Sequence, residues 1–277
     1  MQDKIEFVRL IGDERRTGSR LSSVSRHWQN EKECFLFISP HDDDAVLGGG
    51  LLIQLAKREN VPVYILIVTD GSMGYCNENE KDTISNIRQK ETSECYQYLG
   101  IPKENIIRLG LPSGQINNYL GRTQAKSNSN LAIKGFTGLQ NAFTYYLRQI
   151  KPTQCFLPTC NDLHPAHRIV YDEFLISLFH ANGDIWPELG TPLSAIPYIH
   201  EIAIYCDFVD SPTLRISTPA SYLKNKLKAI GIFRSQKQIS SIIDNIRRCG
   251  PEEYLRTVEF KLYKSSTYHD MFEPLNS

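Results

Sequence analysis

Short, nearly continuous apolar runs alternate along the chain with longer segments that are apolar on one face only. Cys34–Ser39 (CFLFIS) and Pro62–Thr69 (PVYILIVT) are of the first kind. They are too uniformly apolar to have one solvated face, so they read as parallel strands covered on both sides. Residues 105–109, 154–157 and 201–206 read as further strands, and 214–217 as a short edge strand. Between them lie helical patterns. Val46, Leu47, Leu51, Leu52 and Leu55 recur at helical spacing, and 80–99, 136–150 and 166–179 follow the same rule. Gly100, with Pro102 beyond it, stops the second of these helices. Strands separated by helices of this length imply right-handed βαβ units. The expected fold is α/β, Rossmann-like: a mostly parallel sheet with helices on both faces. Residues 1–33 are polar and mixed and read as an N-terminal arm. Residues 34–277 read as a single domain whose C-terminal elaboration holds helices over 219–231, 236–249 and 251–260.

The polar residues that interrupt this pattern cluster at strand ends. Pro40 ends the first strand, because it has no N–H for the ladder. His41, Asp42, Asp43 and Asp44 follow at once. In open α/β sheets the carboxyl ends of the strands are where ligands bind. Gly48, Gly49 and Gly50 come too late for a dinucleotide fingerprint, and three carboxylates would repel a phosphate at the helix start. The turn is better suited to a cation. Imidazole plus carboxylate is a common zinc set, and catalytic zinc keeps three protein ligands and one open position. His41 and Asp44 are close enough in sequence to reach one ion, and the third ligand must come from elsewhere. The plain alternative is that these acids cap the helix, which one Asp ordinarily does alone.

A second such junction follows the strand at 154–157. His164-Pro165-Ala166-His167 stands where Pro165 can open a helix. In a parallel sheet this junction lies on the same edge as His41. One histidine would be unremarkable, but two here, opposite a His-Asp turn, point to a metal site at the carboxyl edge of the strands. His27, His180, His200 and His269 lack acidic partners in comparable turns and read as structural.

Composition narrows the classes. The 277 residues carry zero formal net charge and are 41% hydrophobic. That fits a globular domain with a substantial core and gives no electrostatic reason for nucleic acid binding. No apolar run approaches the roughly eighteen residues of a spanning helix, and residues 1–20 hold no apolar signal core. Seven cysteines at irregular spacing, two of them inside strands, read as reduced thiols in a cytoplasm. Cys155 and Cys160 read as core or supporting residues rather than as ligands.

Taken together, the two histidine motifs resemble those of the PIG-L/LmbE zinc-dependent N-deacetylases. His41-Asp42-Asp43-Asp44 resembles the family's His-Pro-Asp-Asp, and His164-Pro165-Ala166-His167 its His-Pro-Asp-His. Thr69-Asp70-Gly71, Arg88 to Glu91 with Leu99-Gly100, Leu111-Pro112-Ser113-Gly114 and Ser235-Gln236 look like weaker blocks in the same order. The resemblance runs from about residue 33 to 240. It implies Zn2+ held by His41, Asp44 and His167, and Asp43 as general base on the attacking water. His164, protonated, would stabilise the oxyanion and donate a proton. Arg88 would be a pocket or orienting residue. The chain departs from the pattern at Asp42 (Pro in the family), Ala45, Ser113 and Ala166 (Asp in the family). Asp42 adds negative charge beside the site, and with Arg88 and Ser113 it reads as a substrate contact. Ala166 removes a carboxylate partner of His164, which Asp162 is placed to replace.

The implied function is hydrolysis of an N-acyl amide on an N-acetylglucosamine-type amino sugar or glycoconjugate, releasing acetate and free amine. A magnesium-dependent phosphohydrolase and a non-catalytic carbohydrate-binding relative are the alternatives. The histidines favour zinc over magnesium, which prefers oxygen ligands, and an intact Asp43 has no use in simple binding. The loops 112–135 and 182–198 are placed as lid or specificity loops. The oligomeric state, a homo-oligomer included, is left open by the sequence.

Overall fold

A computed structural model of the chain describes residues 4–25, 27–260 and 263–272. Residues 1–3 of the expected arm and the last five residues lie outside them. The N-terminal segment is not an outer arm. It forms a hairpin, β1 (Glu6–Ile11) and β2 (Glu14–Gly18), followed by the one-turn helix α1 (Leu21–Val24). Gly12, at φ +54, makes the hairpin turn, a backbone region open to glycine without steric cost.

The predicted βαβ run follows: β3 (Phe35–Ser39), α2 (Asp44–Arg58), β4 (Val63–Thr69), α3 (Ile84–Tyr98) and β5 (Ile106–Leu111). Two short strands, β6 (Thr123–Gln124) and β7 (Phe136–Thr137), pair with each other. Next come α4 (Leu139–Ile150), β8 (Gln154–Pro158), α5 (Pro165–Asn182) and β9 (Tyr198–Ile202). The C-terminal part holds β10 (Leu214–Ser217), α6 (Ala220–Ile230), α7 (Ser240–Cys249), β11 (Glu252–Val258) and α8 (Ser266–Phe272). The helix expected over 251–260 is therefore a strand.

One nine-stranded sheet runs β2-β1-β10-β11-β9-β8-β3-β4-β5. From β9 to β5 every pair is parallel. From β2 to β9 every pair is antiparallel. The parallel half is the one foreseen; the antiparallel half comes from the N-terminal hairpin and the C-terminal elaboration.

Alternation along β3 explains the layers, because successive side chains point to opposite faces. Phe35 and Phe37 pack with α2, Tyr96 of α3 and Ala229 and Ile230 of α6. Leu36 and Ile38 pack with Phe143 and Leu147 of α4 and Val170 and Phe174 of α5. All these side chains are buried, and each large one stabilises the fold by roughly 1.5–3 kcal/mol.

Two features aim the central strand at the site. From β3 the chain continues to β4 and β5 on one side, while β8 returns on the other. The crevice between β3 and β8 is thus the topological switch point where ligands bind in such sheets. The second feature is a break in α2. Gly49 leaves helical geometry (φ −134, ψ 19), and a Cβ there would meet Phe37 at 2.6 Å. The Glu253 carboxylate accepts from the N–H groups of Leu51 (2.6 Å) and Leu52 (2.9 Å), which the break exposes. Lys226 Nζ pairs with the same carboxylate at 2.7 Å.

Candidate active site and metal centre

The turn after β3 and the turn after β8 meet. His41 Nδ1 lies 3.0 Å from His167 Nε2. Asp44 Oδ2 lies 3.3 Å from the first and 3.2 Å from the second. Asp44 and His167 are buried completely, and His41 is partly exposed. Two ring nitrogens and a carboxylate oxygen this close need a proton or a cation between them. His41, Asp44 and His167 are the donor types that zinc takes, and three of them would leave a bound zinc ion a fourth position for chemistry. The donor set therefore fits the implied metal.

The electrostatics agree. Burial alone would raise the Asp44 pKa, but the facing His167 and His41 imidazoles hold it well below the usual carboxylate range. Burial works against a charged His167, yet Asp44 and Asp162 outweigh it and raise its pKa to about 9. The position favours a proton or a metal ion, and an incoming ion must displace that proton.

His167 is held from behind. Its Nδ1 faces Asp162 Oδ2 at 3.2 Å, and the Asp162 carboxylate also accepts from the backbone N–H groups of His164 (2.9 Å) and Tyr205 (3.3 Å). A carboxylate on the far ring nitrogen fixes the tautomer and turns the Nε2 lone pair toward His41 and Asp44, where a metal would be held. The sequence assigns Asp162 to the His164 ring. It serves the His164 backbone and the His167 ring instead.

His164 stands at the edge of the cluster. Its ring lies 4.4 Å from that of His41, edge-on at 82°, and the three histidines bring donor atoms within 4.8 Å of one another. It is thus a second candidate for third ligand beside Asp44. Its Nδ1, however, accepts from the Ala166 N–H at 3.2 Å, as the helix cap of α5. That places the proton of the neutral ring on Nε2, as a donor rather than a ligand. Burial, then His41 and His167, depress its pKa to about 4. Contact and burial together favour a neutral ring that donates from Nε2 over the expected imidazolium.

Asp42 and Asp43 part company. Asp43 is nearly buried but lines a cavity of about 430 Å³ together with His41, His164, Arg88 and Ser113. Burial raises its pKa against the pull of Arg88, and the neighbouring Asp44 charge adds to the rise. Asp42, the expected substrate contact, has no exposed surface. Its carboxylate pairs with Arg88 Nε at 2.8 Å and with Arg108, and accepts from Thr92 Oγ1 at 2.7 Å. Tyr96 Oη donates to its backbone carbonyl at 2.8 Å. The extra negative charge is thus neutralised beneath the site, and Asp42 ties the turn to α3 and β5.

Arg88 reaches the cavity with its nitrogens committed: Nε to Asp42, Nη1 to Gln236 Oε1 at 2.7 Å and Nη2 toward Asp43 at 3.4 Å. Gly71, at φ +72, packs so tightly on it that a Cβ would meet Arg88 Cδ at 2.7 Å and Asp42 Oδ2 at 2.8 Å. Ser113 donates its backbone N–H to Asp70 Oδ1 at 3.0 Å, and its buried hydroxyl faces the same carboxylate.

The walls differ from those expected. Among the described residues, only Ser113 and Gly114 of the 112–135 loop line the cavity, and none of 182–198 does. Those loops brace each other: the Arg122 guanidinium lies 3.5 Å from the Phe136 ring centroid and 4.6 Å from that of Trp186. Tyr205, Gln236 and Gln238 form the far wall instead. Tyr205 packs on the His167 ring at 5.1 Å. It follows β9 with no motif around it, and only β9's place beside β8 puts it here. A larger cavity of about 730 Å³ opens at the other end of the sheet, by Glu33 and Val61, and is lined by no imidazole or thiol among the described residues.

The sequence profile of the PIG-L family, described as GlcNAc-PI de-N-acetylase, matches residues 36–176. No curated protein resembles the chain closely enough to count as a match. Among solved structures, the N,N'-diacetylchitobiose deacetylase from Pyrococcus horikoshii superposes with a TM-score of 0.66 at 22% identity, over 89% of this chain and 92% of that one. A conserved protein from Thermus thermophilus gives 0.63 at 20% identity, over 83% and 97%. The 4-carboxy-2-hydroxymuconate hydratase GalB from Pseudomonas putida gives 0.61 at 14% identity, over 84% and 99%. At such identities the likeness is one of fold.

Proposed function

The chain belongs to the GlcNAc-PI de-N-acetylase (PIG-L) family, and from that premise we propose that it hydrolyses the N-acetyl amide of an amino sugar or glycoconjugate, releasing acetate and free amine, at a zinc ion held by His41, Asp44 and His167. The observation that carries the reading is the triangle of ligand atoms at 3.0–3.3 Å, with a buried carboxylate, Asp43, beside it on the cavity wall. It draws support from the Pyrococcus horikoshii neighbour, whose description is that of a deacetylase acting on diacetylchitobiose.

When bound, zinc acidifies water and polarises a carbonyl. The protein's own groups do the rest. Asp43, its pKa raised by burial, accepts a proton from the attacking water near neutral pH and returns it to the departing amine. His164 donates its Nε2–H to the amide oxygen as that atom gains charge, from a ring already fixed by the Ala166 N–H. Ser113 and Gly114 line the cavity beside the substrate. Arg88 positions Asp43 and the floor of the cavity.

The same geometry weighs against the rivals. A phosphate or a dicarboxylate, such as a hydratase would take, carries more negative charge than one metal ion balances and calls for a free cationic side chain besides. Among the described residues, Arg88 is the one cationic lining residue apart from the histidines, and Asp42, Asp43 and Gln236 hold it. The test is a panel of N-acetylated amino sugars assayed for acetate release, with metal content measured in parallel. Zinc-dependent release from at least one member is expected. Phosphate release with magnesium, or hydration of an unsaturated diacid, without any acetate release would overturn the reading.

A further inference from the structure

Ser235 and Gln236 lie outside the stretch 36–176 that the family profile matches, yet they reach the floor of the catalytic cavity. They belong to the segment that joins α6 to α7. Both are buried, as are Arg88 and Glu91 of α3, against which they pack. The Glu91 carboxylate accepts from the Ser235 N–H at 3.0 Å and from its hydroxyl at 2.6 Å, which fixes the segment on α3.

Gln236 lines the cavity, but its amide is engaged by the protein itself. Its Oε1 accepts from Arg88 Nη1 at 2.7 Å and from Gln238 Nε2 at 2.6 Å. Its Nε2 donates to the Gly74 carbonyl at 3.1 Å and to Ser235 Oγ at 3.0 Å. A side-chain amide has two acceptor sites and two donors, and all four are used. A glutamate here could not donate to Gly74, and an apolar residue could not hold Arg88. Gly74 is fitted to the same place, since a Cβ on it would collide with Arg88 Nη1. The guanidinium in turn directs Nη2 toward Asp43 at 3.4 Å and Nε to Asp42 at 2.8 Å. One buried chain of polar contacts therefore runs from Glu91 through Ser235, Gln236 and Arg88 to Asp43. A buried network satisfied in this way rigidifies its members and specifies one arrangement.

We propose that Gln236 is a positioning residue: its Oε1 holds the Arg88 guanidinium, and through Arg88 it keeps the Asp43 carboxylate aimed at the catalytic cavity. The kinetic consequence rests on the amide-hydrolase reading; the hold on Arg88 does not. The C-terminal elaboration thereby completes the active site that the matched stretch begins. Gln236 has no hydrogen-bonding capacity left for a ligand, so it acts on the chemical step rather than on substrate binding.

Two readouts test this, one of them without substrate. Phenylglyoxal modifies free guanidinium groups, and peptide mapping by mass spectrometry gives the rate at Arg88 relative to the exposed Arg58. Loss of a hydrogen bond to a charged group should raise that ratio by about tenfold or more in Gln236→Leu. Gln236→Glu, which keeps the acceptor, should match the parent. Equal ratios in the parent and Gln236→Leu, or the same rise in Gln236→Glu, overturn the assignment. Should Gln236→Leu fail to fold, Ser235→Ala loosens the same amide and should raise the ratio several-fold; no rise overturns it. With a cleaved N-acetyl substrate, kcat should fall about 10- to 100-fold in Gln236→Leu while KM stays within about threefold. An unchanged kcat, or a loss confined to KM, overturns the role. If no amide substrate is cleaved, the amide-hydrolase reading fails, and the modification ratios still decide whether Gln236 holds Arg88.

Discussion

Replacing Asp162 by Asn tests how His167, the proposed zinc ligand, is oriented. The Asp162 carboxylate is buried, faces His167 Nδ1 at 3.2 Å and accepts from the His164 and Tyr205 N–H groups. An Asn that keeps its oxygen on the His164 N–H must turn its NH2 toward His167 Nδ1. Two donors then face each other, and the ring relieves the clash by moving its proton to Nε2, the atom that points at His41 and Asp44. Removing a carboxylate of this kind lowers metal affinity by about 10- to 100-fold, which corresponds to about 1.4–2.7 kcal/mol. The assay is zinc titration against a chromogenic chelator, with thermal melting as a control for folding. A folded Asp162→Asn protein that binds zinc within about twofold of the parent would refute the reasoning and leave Asp162 a loop cap only.

Three further outcomes follow. Asp43→Asn should retain zinc, because Asp43 is outside the ligand triangle, while turnover falls by about 10²- to 10⁴-fold; unchanged turnover in the acetate assay removes the base assignment. Lys226→Met leaves Glu253 charged and buried at the break in α2 and should cost about 3–5 kcal/mol in denaturant unfolding. The double variant Lys226→Met/Glu253→Gln should recover part of that loss, and a strictly additive double would contradict the pairing. His200 is buried between Gln154 and Thr257, and burial depresses its pKa to about 3. Below its ordinary pKa of about 6.5 the unfolded chain takes a proton that the native chain refuses. Stability should therefore fall by up to about 1.4 kcal/mol per pH unit as the pH drops from 6.5 toward 3, and His200→Gln should flatten that slope in unfolding curves.

The parts legible in the sequence are those whose cause is local. The buried strands β3, β4 and β8 announce themselves as continuous apolar runs, and their carboxyl ends carry the His41 and His164 turns. What escapes is non-local. Glu252–Val258 reads as a helix start, with two glutamates after Pro251. It is a strand because Glu253 and Leu255 face inward together, and an inward glutamate makes sense only beside Lys226 and the broken α2. The charge of Asp42 is visible, but Arg88 and Arg108, which cancel it, come from α3 and β5. Asp162 is recognisable as a histidine partner but not as the partner of His167, since sequence spacing does not say which histidine turns its back on it. Tyr205 carries no signal, and the N-terminal hairpin gives only a few scattered apolar positions.

The central claim is that three named atoms share one divalent ion. A crystal of the zinc-loaded protein, with anomalous data collected across the zinc edge, tests it most directly. The account predicts one peak within about 2.3 Å of His41 Nδ1, His167 Nε2 and an Asp44 oxygen, with His164 Nε2 outside bonding distance. A peak bonded to His164 with Asp44 turned away, or no peak between the two turns, would contradict it.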